Sequence, residues 1–472
     1  RDRMGSAASV LSVRQGLGVI QLATIIFFEV CGGPYGIEPL ISSGRPLHAI
    51  VGLIIMPIVW SIPIALVTAE LSSQYPETGG QVMWCHRSFG LKWTYIQGYM
   101  SFFGNLLDTA ATPVMVLDYM EVVTGERSSL ERFAAGFTAL VFITYLNIRG
   151  VEMVGTASVV FAFLCISPFI LFVALGIKYI DTSIWAISDE FDFKPFSFDS
   201  KFATFLTCLV WNTSGYDMAG ACAGEVENPK KVYPKALLIT VTLVSLIYIA
   251  PLMIGVCVPG AMDYDLWEDG YFGTGVALAL GGPWFAVVMG VVGAMASLGQ
   301  LNSLLLGSSR ELYCMSNLGL TPQILDRVHP KFLTPHYSVL FFSACVAPLI
   351  LFDFDTLVEV STFLDSIAFV IFFASYLKLK SETHKTLEMR ESGAVFSAND
   401  QELLLGRNID DGFQVPGGMT GGIVICIPPM LVCVLVVLVC SVTTWIACVS
   451  VVALMFIVWM AWLGPRLSHK SS

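Results

Sequence analysis

Charge is scarce in this chain. Only 13% of its 472 residues are Asp, Glu, Lys or Arg, against 55% hydrophobic residues and a mean hydropathy of +0.74, which excludes a soluble globule and places the chain in a bilayer. Paired-cysteine motifs are lacking too. The twelve cysteines fall mainly inside apolar stretches with no CxxC or Cys/His spacing, and so read as small packing residues rather than disulfides or metal ligands. The six histidines are scattered near segment ends and suggest no ligand set. No metal cluster, nucleophile elbow or phosphate loop stands at a usable spacing, which argues against an enzyme. A cleavable signal peptide is not evident, because the apolar stretch from Gly16 is too long and has no small-residue cleavage site; the first helix is expected to act as the targeting signal.

What is present is hydrophobic length. Apolar stretches of about spanning size occur near 18–43, 47–71, 95–120, 133–147, 154–178, 201–224, 234–258, 281–312, 336–352, 356–377, 421–440 and 442–463, which predicts an all-α membrane protein with twelve transmembrane helices. With a cytoplasmic N-terminus, nineteen of the twenty-five Lys and Arg lie inside, so both termini are expected in the cytoplasm. The outer loops carry acids such as Asp181, Asp263, Asp265, Glu268, Asp353 and Asp355, and the net charge is −11. Such a field concentrates cations at the entrance, although acidic loops also serve simple solubility. The Asn212-Thr213-Ser214 sequon lies within a span, where glycosylation is not expected.

Two spans cannot be continuous helices. In the first, Gly32-Gly33-Pro34-Tyr35-Gly36-Ile37-Glu38-Pro39 brings two prolines, three glycines and a carboxylate to mid-bilayer, where bare backbone N–H and C=O groups cost several kcal/mol unless protein or solute satisfies them. The sixth is interrupted at Trp211-Asn212-Thr213-Ser214-Gly215-Tyr216-Asp217. Matched breaks five spans apart are the pattern expected when inverted repeats hold a solute near the midplane; a pair of structural kinks is the plainer alternative.

Gly215-Tyr216-Asp217, followed by Gly224-Glu225-Val226-Glu227-Asn228-Pro229-Lys230-Lys231 and Tyr233-Pro234-Lys235-Ala236, resembles the sixth-helix signature of the amino acid, polyamine and organocation (APC) superfamily. Phe28 to Pro39, Trp60-Ser61-Ile62-Pro63, Thr68-Ala69-Glu70-Leu71 and Gly79-Gly80 are similar more narrowly to plant and protozoan polyamine uptake permeases, as are 113–119 and 417–429. The resemblance implies the leucine-transporter fold, with a 5+5 inverted repeat, helices 1 and 6 unwound, and helices 11 and 12 added. It further implies proton-coupled uptake by alternating access. The expected layout is a single transporter domain: a cytoplasmic N-terminus over 1–17, repeat one over 18–180, repeat two over 200–380, a cytoplasmic linker over 381–420, the last two helices over 421–463 and a cytoplasmic tail over 464–472.

The residues agree with an amine cargo. Amino-acid members of the superfamily offer free backbone N–H groups at a half-helix start to the substrate carboxylate. Here Pro34 removes one donor, and Glu38 sets the protein's own carboxylate before Pro39 in the first helical turn. Glu38 is either an ammonium ligand or a helix cap, and Asp217 poses the same choice. The aromatic faces of Tyr35, Trp211 and Tyr216 attract alkylammonium groups, or simply pack. Asp108 lies on one helical face with Asn105 and Thr109, a strip suited to the far end of a long diamine; Asp365 is a further intramembrane acid. The expected substrate-binding residues are Gly33, Tyr35, Gly36, Glu38, Asp108, Trp211, Asn212, Tyr216 and Asp217. Glu29 is the preferred proton-coupling residue and Glu225 its rival. The fifth span carries no Lys or Arg to stand in for a sodium ion, as a Lys does in many amino-acid members, so coupling falls to carboxylates; facilitated diffusion and exchange stay open.

The expected function is therefore import of putrescine, spermidine or a similar polyamine, with the proton as coupling ion and no other cofactor. A cationic or neutral amino-acid transporter or exchanger of the same fold, and a solute sensor that does not transport, are the alternatives. Partners are the amine and the lipid bilayer, in the plasma membrane, without nucleic acid. A heavy-chain subunit is not expected, because no cysteine falls clearly in an outer loop.

Overall fold

A computed structural model describes residues 16–125, 128–188, 201–268, 270–391 and 412–460. The described residues are helical, with no named strand. The helices are α1 (Val19–Val30), α2 (Pro39–Met56), α3 (Ile62–Gln74), α4 (Gly80–Phe89), α5 (Leu91–Thr124), α6 (Ser129–Arg149), α7 (Val151–Gly176), α8 (Lys201–Thr213), α9 (Pro229–Gly255), α10 (Pro283–Asn317), α11 (His336–Val346), α12 (Phe354–Glu391), α13 (Gly418–Val439) and α14 (Val442–Val458). Among the described residues, eight helical runs are long and apolar enough to cross a membrane, and four shorter apolar helices accompany them. The chain is a multi-pass membrane protein.

Local sequence explains the boundaries. Within α2 the chain turns at Arg45, whose φ of 61° interrupts the helix before Pro46; this falls between the first two apolar stretches. Ser128 caps α6, its Oγ accepting the Glu131 N–H while Glu131 accepts the Ser128 N–H, so S-x-x-E forms a capping box. Gly79 and Gly80 both have positive φ, and a Cβ on Gly80 would come within 2.9 Å of the Ala221 nitrogen. The pair therefore lets α4 start against the backbone that follows the second break.

The long helix α5 packs along both α10 and α12 through the middle of the molecule. Arg310 and Lys380, two of the nineteen basic residues assigned to the cytoplasmic side, are buried within the bundle. Arg310 of α10 is fully buried against Glu225, and Lys380 of α12 donates to both Glu70 oxygens at 2.8 and 2.7 Å. Glu70 also accepts Tyr376 Oη at 2.9 Å and the Val415 N–H at 2.8 Å, so one carboxylate ties α3 to α12 and to the strand of chain entering α13. Residues 381–391, expected in the linker, continue α12 as helix. Residues 392–411, with the N-terminal 1–15 and the tail from 461, lie outside the described residues.

Candidate functional site

The two predicted interruptions are present and touch. After α1 the chain is non-helical from Cys31 to Glu38, with Gly33 at φ 139° and Gly36 at φ 81°. After α8 it is non-helical through Ser214 and Gly215, then resumes as a 3-10 turn over Met218–Glu225. Gly215 has φ 105°, and a Cβ there would stand 2.5 Å from the Glu29 carbonyl oxygen. Only glycine allows the breaks to approach this closely. Asn212 fastens them: its Nδ2 donates to Gly36 O at 2.7 Å and Cys208 O at 2.9 Å, and Tyr248 Oη donates to its Oδ1 at 3.2 Å. Trp60 Nε1 donates to Ser214 Oγ at 3.0 Å and Ser61 Oγ to Thr213 O at 3.0 Å, which explains the Trp60-Ser61 pair.

A cavity lies against these breaks, closed by α5 and α12. Four carboxylates line it: Glu29, Asp108, Asp217 and Asp365. Trp60, Trp211 and Phe369 supply aromatic wall, and Gln81, Asn105 and Gln300 polar wall; no Lys, Arg or His is among the lining residues. Glu29 is 6% exposed and Asp217 5% exposed. Neither oxygen of Glu29 has a hydrogen-bond partner, and Asp217 Oδ1 has none either. Asp217 Oδ2 accepts from Gln81 Nε2 at 2.5 Å, and Gln81 is itself held by Gln97 at 2.5 Å. Asp108 Oδ1 accepts from Trp211 Nε1 at 3.0 Å. Buried acceptors left bare cost several kcal/mol, so the cavity favours a guest that brings N–H donors and positive charge.

Of the residues expected at the site, Glu29, Asp108, Trp211 and Asp217 line the cavity. Gly33 and Gly36 shape the first break without lining it. Tyr35 points away, its Oη donating to Met289 O at 2.7 Å and its ring packed on Tyr119 and Phe169. Tyr216 is buried beside Ser61. Glu38 is fully buried; its Oε2 accepts the Gly36 N–H at 2.7 Å and its carboxylate faces the backbone of Gly270 and Phe272. Glu225 lies outside the cavity with both oxygens on Arg310, at 2.9 and 3.3 Å. In this conformation the polar atoms of Tyr35 and Asn212 are taken up by the protein and Tyr216 is buried, while Glu38 makes no side-chain cap bond to α2 and its Oε1 has no hydrogen-bond partner.

Sequence reasoning missed Gln81, Gln300 and Glu311. Glu311, 4% exposed on α10, takes Asn105 Nδ2 at 3.0 Å just beyond the cavity wall. It stands next to the last residue of the 281–312 stretch, beside Arg310, and nothing in spacing ties Gln81 to a position 136 residues away.

Towards the acidic loops the route is stepped. Trp211 also borders a second cavity with Phe354, Asp355 and Glu359, and its ring meets Phe354 edge-on at 5.4 Å. Asp355 opens in turn onto a wider mouth lined by Asp118, Glu121 and Glu268. There Arg132 pairs with Asp118 at 2.5 Å and with Glu121.

Helices interrupted around a polar cavity inside a membrane bundle are the build of a permease. The amino acid permease family model matches residues 17–398, and the chain belongs to that family, within the APC superfamily. It is 32% identical over 425 residues to a probable polyamine transporter of Arabidopsis thaliana, covering 89% of this chain and 79% of that protein. It is 30% identical over 431 residues to the polyamine transporter RMV1 of the same plant, covering 91% and 81%. A more distant relative is the cationic amino acid transporter 4 of Mus musculus, 24% identical over 371 residues and covering 74% and 57%.

Proposed function

We propose that this permease imports polyamines, the cavity between the broken helices binding a linear diamine or triamine through its carboxylates. One observation carries the reading: Glu29, Asp108, Asp217 and Asp365 line a single cavity that has no basic residue in its wall. A solute with one ammonium group leaves most of that charge unmatched. An amine charged at both ends meets Glu29 and Asp217 with one end and Asp108 with the other, its methylene chain against Trp60, Trp211 and Phe369. A free amino acid would bring a carboxylate into the same field. Its usual seat is already taken, because the Gly36 N–H donates to Glu38.

The rest of the proposal follows the leucine-transporter arrangement. The repeats are 18–180 and 200–380, twelve helices cross the plasma membrane, both termini are cytoplasmic and no heavy chain is needed. Proton coupling falls to a carboxylate of this cavity, and Glu29, with neither oxygen hydrogen-bonded, is the one open to an incoming ammonium group. Glu225 is less suited, since Arg310 already neutralises it. The relatives named as polyamine transporters support the substrate class.

The test uses the purified chain in proteoliposomes. Labelled putrescine or spermidine accumulates when an inward acid gradient is imposed. Uptake of arginine with no polyamine uptake would move the protein to the amino-acid branch, and binding without transport would make it a sensor.

A further inference from the structure

Asp108 of α5 and Asp365 of α12 line the same cavity where these two helices pack together. Two carboxylates in that contact repel unless a proton lies between them, and the pair then titrates as a unit. The sequence builds the contact with a notch. Gly104 sits one helical turn before Asp108 on the same face of α5, and a Cβ at Gly104 would overlap Asp365 Oδ1. The Asp365 carboxyl therefore rests against bare α5 backbone, within reach of Asp108. From the other side Trp211 Nε1 holds Asp108 Oδ1 at 3.0 Å. This fixes the Asp108 carboxylate at the cavity wall.

The surroundings are acidic on every side. Asp217 from the second break and Glu311 from α10 face Asp365, Cys433 of α13 lies nearby, and Glu29 of α1 lies beside Asp217 and Glu311. No Lys, Arg or His lines the shared cavity to neutralise the pair. Glu29 and Asp217 are more than nine-tenths buried and keep unpartnered oxygens in the same cavity. One proton on the pair thus leaves a single negative charge for the distal ammonium, while Glu29 and Asp217 meet the proximal one.

From this geometry we infer that Asp108 and Asp365, rather than Glu29, form a proton-sharing carboxyl pair that takes up the co-transported proton from the outer side and releases it inside. The inference rests on the polyamine-import reading. Gly104 is a positioning residue for the pair, and Trp211 couples it to the cavity wall.

The test compares single amides in proteoliposomes loaded with the full chain, using labelled putrescine with and without an inward acid gradient. Asp365→Asn and Asp108→Asn each keep hydrogen-bonding capacity but hold no titratable proton, so gradient stimulation is expected to fall to within about twofold of unity. Glu29→Gln, in contrast, is expected to weaken putrescine binding at every pH while leaving the residual uptake gradient-sensitive. Wild-type stimulation in either Asp variant, or an unstimulated wild type, overturns the inference. Folding of the variants is bypassed by treating the wild-type chain with a hydrophobic carbodiimide, which reacts with protonated buried carboxyls. Mass spectrometry should find the adduct on Asp108 or Asp365, decreasing as pH rises and when putrescine is added; an adduct confined to Glu29 overturns the pair. A wild type that neither binds nor moves any polyamine refutes the import reading, and the carbodiimide result then still decides the proton pair.

Discussion

The Gly36 N–H donates to Glu38 Oε2 at 2.7 Å, so a backbone group able to hold a substrate carboxylate is filled by the protein's own side chain. Glu38 is not among the residues lining the cavity between the breaks, so on the proposed import reading it acts on cargo by exclusion rather than contact.

This predicts a narrow consequence for Glu38→Ala. Putrescine and ornithine differ by one carboxylate, as do agmatine and arginine, and the wild type should prefer the decarboxylated member of each pair. Removing Glu38 frees the Gly36 N–H and takes away a repelling charge, shrinking that preference by roughly tenfold, about 1.4 kcal/mol. Competition against labelled putrescine uptake measures it. Unchanged ratios would show that Glu38 does not exclude carboxylates.

On the proposed import reading Asp217 meets the amine, and it should behave differently. Asp217→Asn removes a buried charge from the ammonium pole, for a loss of about 2–4 kcal/mol in putrescine affinity. Gln81→Ala leaves the charge but frees the Oδ2 it holds at 2.5 Å, with an expected loss of about 1 kcal/mol. Scintillation proximity binding ranks the two. Equal losses would mean that Gln81 itself touches substrate.

The breaks were legible in the sequence because glycine and proline dictate backbone locally: Gly33, Gly36 and Gly215 all adopt positive φ. The intramembrane acids Glu29, Asp108 and Asp217 were legible because charge in an apolar run has few other uses. Side-chain direction was not. Tyr35 and Asn212 sit beside the breaks yet turn to Met289 and Gly36, and only the packing of α10 and α8 decides that. Gln81 reached Asp217 through the placement of α4, a tertiary event without periodic trace.

Glu225 and Arg310 form a buried pair with exposures of 4% and 0%, and the prediction here concerns stability. Glu225→Gln strands a buried guanidinium and should lower stability by about 3–5 kcal/mol. Replacing both residues, Glu225→Leu with Arg310→Met, should restore much of it. Thermal unfolding in detergent, followed by size-exclusion chromatography, reports both. If Glu225 were a free proton carrier, its amide would leave stability intact and abolish only the pH response of transport.

Gly215→Ala tests whether contact between the two breaks holds the site together. The added methyl meets the Glu29 carbonyl at 2.5 Å and must adopt φ near 105°, so overlap and backbone strain act together, for about 2–4 kcal/mol. Relief comes only from moving the second break away from α1, which carries Asp217 away from Glu29. Amine affinity should therefore fall together with stability, and more steeply for putrescine, whose short chain tolerates little change in carboxylate spacing, than for spermine. A variant that loses stability but keeps the wild-type putrescine-to-spermine ratio would show that Glu29 and Asp217 do not act as one pole.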